Sequence, residues 1–120
     1  MNRLVCFVLP AALFAQAPAP PTPTFGNTVR PFLETHCQSC HNGKSRAGDV
    51  NFEVLKYANN LAPQAGTWET TAYVLKTGPM PPPNAPRPPQ ADADAARAVI
   101  EEGLAKVYGL QRIVDELKEP

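Results

Sequence analysis

The chain is 120 residues long, enough for one domain, and its 11 Lys+Arg balance 11 Asp+Glu for a formal net charge of zero. Charges of both signs are interspersed and there is no basic stripe, so nothing in the sequence points to nucleic acid. A near-neutral surface also predicts weak electrostatic steering toward any protein partner.

Residues 1–15, MNRLVCFVLPAALFA, place one basic residue (Arg3) before an apolar run from Leu4 to Phe14 and then small residues. That is the order of a secretory signal peptide. The run is 11 residues, interrupted by Pro10, against the ~20 that span a bilayer, so no transmembrane span is expected. An uncleaved amphipathic helix is the competing reading, but the segment has no polar face. Ala15 is the preferred cleavage position over Ala17, which would leave Pro18 first. Cleavage removes Arg3 and no acid, so Lys+Arg falls from 11 to 10 against 11 Asp+Glu, a formal charge of −1. Cys6 is lost with it, five residues being too few ahead of it for a lipid-anchor signal. The expected location is periplasmic or otherwise exported.

Residues 16–24, QAPAPPTPT, carry four prolines in nine positions and read as a semi-extended linker. A short first helix follows, capped by Asn27 or Thr28, with Val29, Phe32 and Leu33 at i, i+3, i+4 and Pro31 in its first turn. Loop signals run from Asn42-Gly43 to Gly48-Asp49. Phe52 to Tyr57 reads as one or two helical turns, with Phe52, Leu55 and Val54 facing inward. Thr67 is the expected N-cap of a helix Trp68–Lys76 with Thr70 reciprocating; Trp68, Ala72 and Leu75 form its stripe and Gly78 ends it. Residues 79–89 hold seven prolines in eleven positions and predict a stiff extended loop. A last helix is expected from Ala91 to Tyr108, with Ala95, Ala98, Val99, Leu104 and Val107 facing the core and Asp92 and Asp94 in its first turn. Gly109 is expected to break it, leaving residues 109–120 as a tail with helical character. The domain is thus residues 25–108, all-α, with about four short helices and no strand. A mature chain so rich in loops and proline buries only a modest core, and something else is expected to fill its centre.

Cys37-Gln38-Ser39-Cys40-His41 supplies a reason. In a helical turn residues i and i+3 project to one side. Two thiols so placed can form thioethers with the two vinyl groups on one edge of a porphyrin, while the adjacent imidazole lies beneath the ring and reaches iron. The motif therefore predicts one covalently attached haem c, bound through Cys37 and Cys40 and ligated by His41. Three alternatives stand beside it. Cys37–Cys40 as a structural disulfide is compatible with export. A thioredoxin-like redox pair would need a βαβ context. A zinc site from His36, Cys37, Cys40 and His41 lacks the second, separated ligand pair that structural zinc uses.

After Met1, the one remaining methionine is Met80, inside Gly78-Pro79-Met80-Pro81-Pro82. Prolines on both sides stiffen the backbone that presents its thioether, and its loop position sets it apart from core-filling methionines. It is the expected second axial ligand, and a His/Met pair raises the reduction potential relative to bis-histidine. His36, on the same helix as Cys37, is expected to be a surface or packing residue. Trp68 and Phe32 are candidates to line the haem but read first as core. Lys44 and Arg46 are candidates to pair with propionates but read first as solvated. His41 should donate its second ring N–H to a backbone carbonyl, with the loop after Gly43 the candidate region.

Val29–Phe52 (VRPFLETHCQSCHNGKSRAGDVNF), Trp68 with its helix, Thr77–Pro83 (TGPMPPP) and the final helix through Ala105 together resemble class I-type cytochrome c domains, most closely the bacterial "planctomycete cytochrome C" type, over about residues 25–108. The resemblance implies a haem c fold with first and last helices packed near each other, Cys37 and Cys40 as attachment points, and His41 and Met80 as proximal and distal iron ligands. The expected function is electron transfer to redox partner proteins, as a free carrier or as a subunit of a larger oxidoreductase system, without enzymatic activity of its own. An open-site haem acting as a gas sensor or peroxidase is the alternative, and it requires that Met80 leave iron free.

Overall fold

A computed structural model describes residues 17–118; the expected signal peptide and Cys6 lie outside them. All regular structure among the described residues is helical. Residues 17–24 are exposed and irregular. The chain then forms a π-helical turn, Phe25–Val29, that runs directly into α1, Arg30–His36. After a loop with a short 3-10 turn at Ala47–Asp49 come α2 (Phe52–Leu55), a second 3-10 turn (Ala62–Gln64), α3 (Ala65–Thr77) and α4 (Gln90–Glu116).

The first helix starts earlier than expected. Thr24, not Asn27 or Thr28, is the N-cap: its Oγ1 accepts the Asn27 N–H at 3.2 Å while Asn27 Oδ1 accepts the Thr24 N–H at 2.7 Å. This reciprocal pair satisfies two otherwise orphaned donors and wins over a later start. Pro31 has no N–H to continue an i→i−4 ladder, and the wider π turn stands directly before it. Val29, Phe32 and Leu33 are all buried, as their spacing requires.

In α2 Phe52 is buried, while Val54 is 68% exposed rather than inward-facing. With the cap at Asn51, Val54 falls on the outer side of a four-residue helix. In α3 Thr67 lies inside the helix, which begins at Ala65 without a side-chain cap, and Thr70 bonds back to the Gly66 carbonyl instead of reciprocating. The core stripe Trp68, Ala72, Leu75 is buried together with Thr71. Gly78 ends α3 in the left-handed conformation, φ 86°, which favours glycine.

The largest departure is α4, one helix of 27 residues that runs straight through Gly109. Glycine in a helix interior costs only ~1 kcal/mol relative to alanine, too little to stop a helix whose flanking residues are good formers. Tyr108, next to it, also donates its hydroxyl to Glu69 on α3, tying the two helices. The buried face of α4 is Ala93, Ala96, Ile100 and Leu104, with Val99 and Val107 partly buried; Ala98 is exposed and Ala95 half-buried.

The π turn and α1 pack on α4, and α3 packs along it. Small side chains at Ala72, Ala93 and Ala96 let the backbones approach closely. Trp68 is the largest fully buried side chain, with Phe25 edge-on at 5.3 Å and Phe52 at 6.2 Å. Past Tyr108, Leu110, Ile113, Val114 and Leu117 are exposed as α4 outruns the core. No helix among the described residues is long and apolar enough to cross a membrane.

Two glycines of α4 should respond oppositely to alanine. A Cβ at Gly109 meets nothing within 4 Å, so Gly109→Ala is expected to raise stability by about 0.5–1 kcal/mol. At Gly103 it would lie 2.6 Å from Cδ1 of buried Leu61, so Gly103→Ala should lose about 1 kcal/mol or more to overpacking. Urea unfolding of the two variants checks the pair.

Candidate functional site

Residues 37–41 form one tight turn at the end of α1. The Cys37 N–H bonds the Leu33 carbonyl at 3.0 Å, and the Cys37 carbonyl accepts both the Cys40 N–H (3.2 Å) and the His41 N–H (3.0 Å). These helix-like bonds set Cys37 and Cys40 one turn apart on one side. Both thiols are free, Cys37 half-buried and Cys40 exposed. Burial, with a smaller contribution from Cys40, pushes the Cys37 thiol up to about 12. It is therefore a neutral thiol at physiological pH, the opposite of the depressed thiols found in dithiol oxidoreductases.

Contacts that no local pattern announced hold the turn. Lys56, largely buried, reaches back from α2 to bond Gln38 Oε1 at 2.9 Å and Glu34 at 3.0 Å. The Glu34 hydrogen bond, against a smaller effect of burial, holds the Lys56 ammonium above its usual value. The Asn42 amide donates to the Gln38 and Ser39 carbonyls, both at 2.9 Å, and its Oδ1 accepts the N–H groups of Lys44 and Ser45. Motif positions 38 and 39, whose side chains carry no ligand chemistry, thus anchor the turn.

His41 is oriented by three contacts. Its Nδ1 donates to the Ala47 carbonyl at 2.6 Å, within the loop the sequence had indicated. A carbonyl only accepts, so Nδ1 is the donor, and in the neutral ring the lone pair lies on Nε2. Its backbone carbonyl accepts the Phe52 N–H at 2.8 Å, and the Phe52 ring stands edge-on to the imidazole at 5.5 Å. The loop that presents Ala47 closes through Ala47 N–H to the Cys40 carbonyl (3.3 Å) and holds Arg46 (φ 41°), Gly48 (φ 61°) and Asp49 (φ 59°) in the left-handed region. Two of these are not glycine, a conformation that costs roughly 1–2 kcal/mol per residue and leaves the carbonyl at the imidazole.

Cys37, Cys40, His41 and Met80 all border one cavity of about 480 Å³. Val50 and Phe52 line it from the α2 side, Thr67, Thr70, Thr71, Val74 and Leu75 from α3, and Met80, Pro81, Pro82 and Ala85 from the proline loop. Among the described residues, no Asp, Glu, Lys or Arg borders it. The hydroxyls of Thr70 and Thr71 are committed to the Gly66 and Thr67 carbonyls at 2.9 and 2.8 Å, so the wall they form offers little free polarity. Trp68, one residue beyond Thr67, is fully buried and its indole N–H has no acceptor.

The other candidates distribute differently. His36 lies against Phe32 at 4.9 Å and also borders the cavity, which the sequence had not indicated. Phe32 and Trp68 are core residues and do not line it; Phe52 takes that place. Arg46 pairs with Asp49 at 3.0 Å in solvent, and Lys44 stands away from the cavity. Among the described residues no three His, Cys, Asp or Glu side chains gather in a way that would hold a metal ion.

The residues fit a haem c by their chemistry: two thiols on one turn, an imidazole with Nδ1 occupied and Nε2 available, a thioether on a separate segment, and uncharged walls between them. No protein-family model, curated protein or solved structure matches the chain.

Proposed function

We propose that the chain is a small haem c electron-transfer protein of the cytochrome c type. Cys37 and Cys40 would hold the group covalently through thioethers, and His41 and Met80 would ligate its iron. The observation that carries this reading is the state of His41. Its Nδ1 donates to the Ala47 carbonyl, which leaves Nε2 as the ring nitrogen available to a ligand, and the residue borders a cavity shared with both thiols and Met80. When bound, haem iron supplies a one-electron Fe(II)/Fe(III) couple. The chain contributes attachment, a fixed imidazole tautomer, a thioether and walls that exclude charge.

The raised Cys37 thiol, and a cavity that no Asp, Glu, Lys or Arg among the described residues borders, support this reading over a dithiol or hydrolytic site. The resemblance of Val29–Phe52 and Thr77–Pro83 to cytochrome c domains, carried by the same residues, points the same way. On this reading the protein is exported, is not itself an enzyme, and exchanges electrons with redox partner proteins. The second reading is an open-site haem that binds gases or peroxide, in which Met80 leaves iron free. Cyanide and CO decide between them: a low-spin ferric form indifferent to cyanide, with a ferrous form indifferent to CO, supports the carrier.

The test is production of the full chain alongside a haem-attachment system. The expected product is red, retains its pigment through acid–acetone extraction and has a mass raised by one haem. Emission from Trp68, the one tryptophan, should be quenched in that product and reappear in strong denaturant. A colourless protein of unmodified mass would overturn the proposal.

A further inference from the structure

Resting on the haem c reading, we propose that Arg87 is the positioning residue for Met80, a clamp that fixes the ligand loop from outside the cavity. Residues 79–89 are mostly proline, so the loop has many carbonyls and few N–H donors. Only one backbone hydrogen bond has both partners within it, Ala85 N–H to the Pro82 carbonyl at 2.9 Å. That bond lies beyond Met80, which leaves the segment carrying the thioether without a backbone tie of its own. The Arg87 guanidinium provides one. It donates to the Gly78 carbonyl at 3.0 Å through one terminal nitrogen and to the Pro81 carbonyl through the other.

Those two carbonyls bracket Met80 in the chain. One planar fork thus spans the residue whose side chain must be presented, a geometry that a point charge cannot copy. The same guanidinium sits at the C-terminal end of α3, where the Gly78 cap leaves carbonyls facing outward and a positive charge is favoured. Pro86 and Pro88 stiffen the backbone on either side of Arg87, so the clamp is itself restrained. Arg87 is exposed and does not border the cavity. Its effect therefore passes through Met80 and not through contact with the bound group.

The clamp sets how often Met80 leaves its position, and an outside ligand competes only for that fraction. The test is imidazole titration of the ferric, haem-loaded full chain, read by its visible spectrum. Losing a charge-assisted bond should raise apparent imidazole affinity in Arg87→Ala by about tenfold or more. Arg87→Lys keeps the charge and is the safer variant to fold; with one carbonyl left unheld it should still gain at least about threefold. In a Met80→Ala background, Arg87→Ala should add nothing, because the ligand it positions is gone. Parent-like affinity in both Arg87 variants, or an equal gain with and without Met80, would overturn the clamp. A parent protein lacking covalent haem by mass would instead overturn the reading on which it rests.

Discussion

Replacing Cys37 and Cys40 together with alanine is expected to abolish pigment retention entirely. The two thiols lie one turn apart, held by Cys40 and His41 N–H bonds to a single carbonyl, and no other cysteine is present among the described residues. With either thiol retained, one thioether still keeps the group through acid–acetone extraction; with neither, extraction yields a colourless protein. Stability should fall as well. Among the described residues the core consists of twelve buried apolar residues beside a cavity of about 480 Å³, and a small core of this kind gains from a covalently held group that fills the cavity. The double variant is therefore expected to unfold at markedly lower urea than the loaded parent. Pigment that survives extraction from the double variant would disprove attachment at these positions.

Met80→Ala should lower the reduction potential by on the order of 100 mV, a fraction of the ~0.8 V over which axial ligands tune haem proteins. A thioether raises the potential relative to harder donors, and water or an outside ligand would take its place. Met80 is presented by Gly78 in a left-handed turn on one side and by buried Pro81 on the other, so the loss of one thioether need not disturb the walls. Cyanide and CO should bind the variant readily. An unchanged potential and spectrum would remove Met80 from the site and favour the open-site reading, in which iron is already available.

The local parts of this site were readable in the chain. The Cys37–His41 spacing describes a turn whatever surrounds it, because i and i+3 share a face by helix geometry alone. The Val29/Phe32/Leu33 and Trp68/Ala72/Leu75 stripes are equally local, and both are buried. Gly78 stops α3 because it is followed by Pro79 and adopts a conformation that alanine avoids. Gly109 misleads because glycine alone does not break a helix; a left-handed φ does, and in this chain the glycines that adopt it are Gly48 and Gly78.

The sequence by itself determined the chemistry available: two thiols, an imidazole and a thioether, on one turn and one proline-bounded loop, in an all-helical chain. Tertiary structure alone decided which carbonyl orients His41, that Lys56 braces Gln38, and that Arg87 spans Met80. Each of these joins groups whose pairing depends on where loops return, and hydrogen-bond partners several residues apart carry no periodic signature. Local spacing can be read from a pattern; the choice among competing donors and acceptors is made only when the chain has folded back on itself.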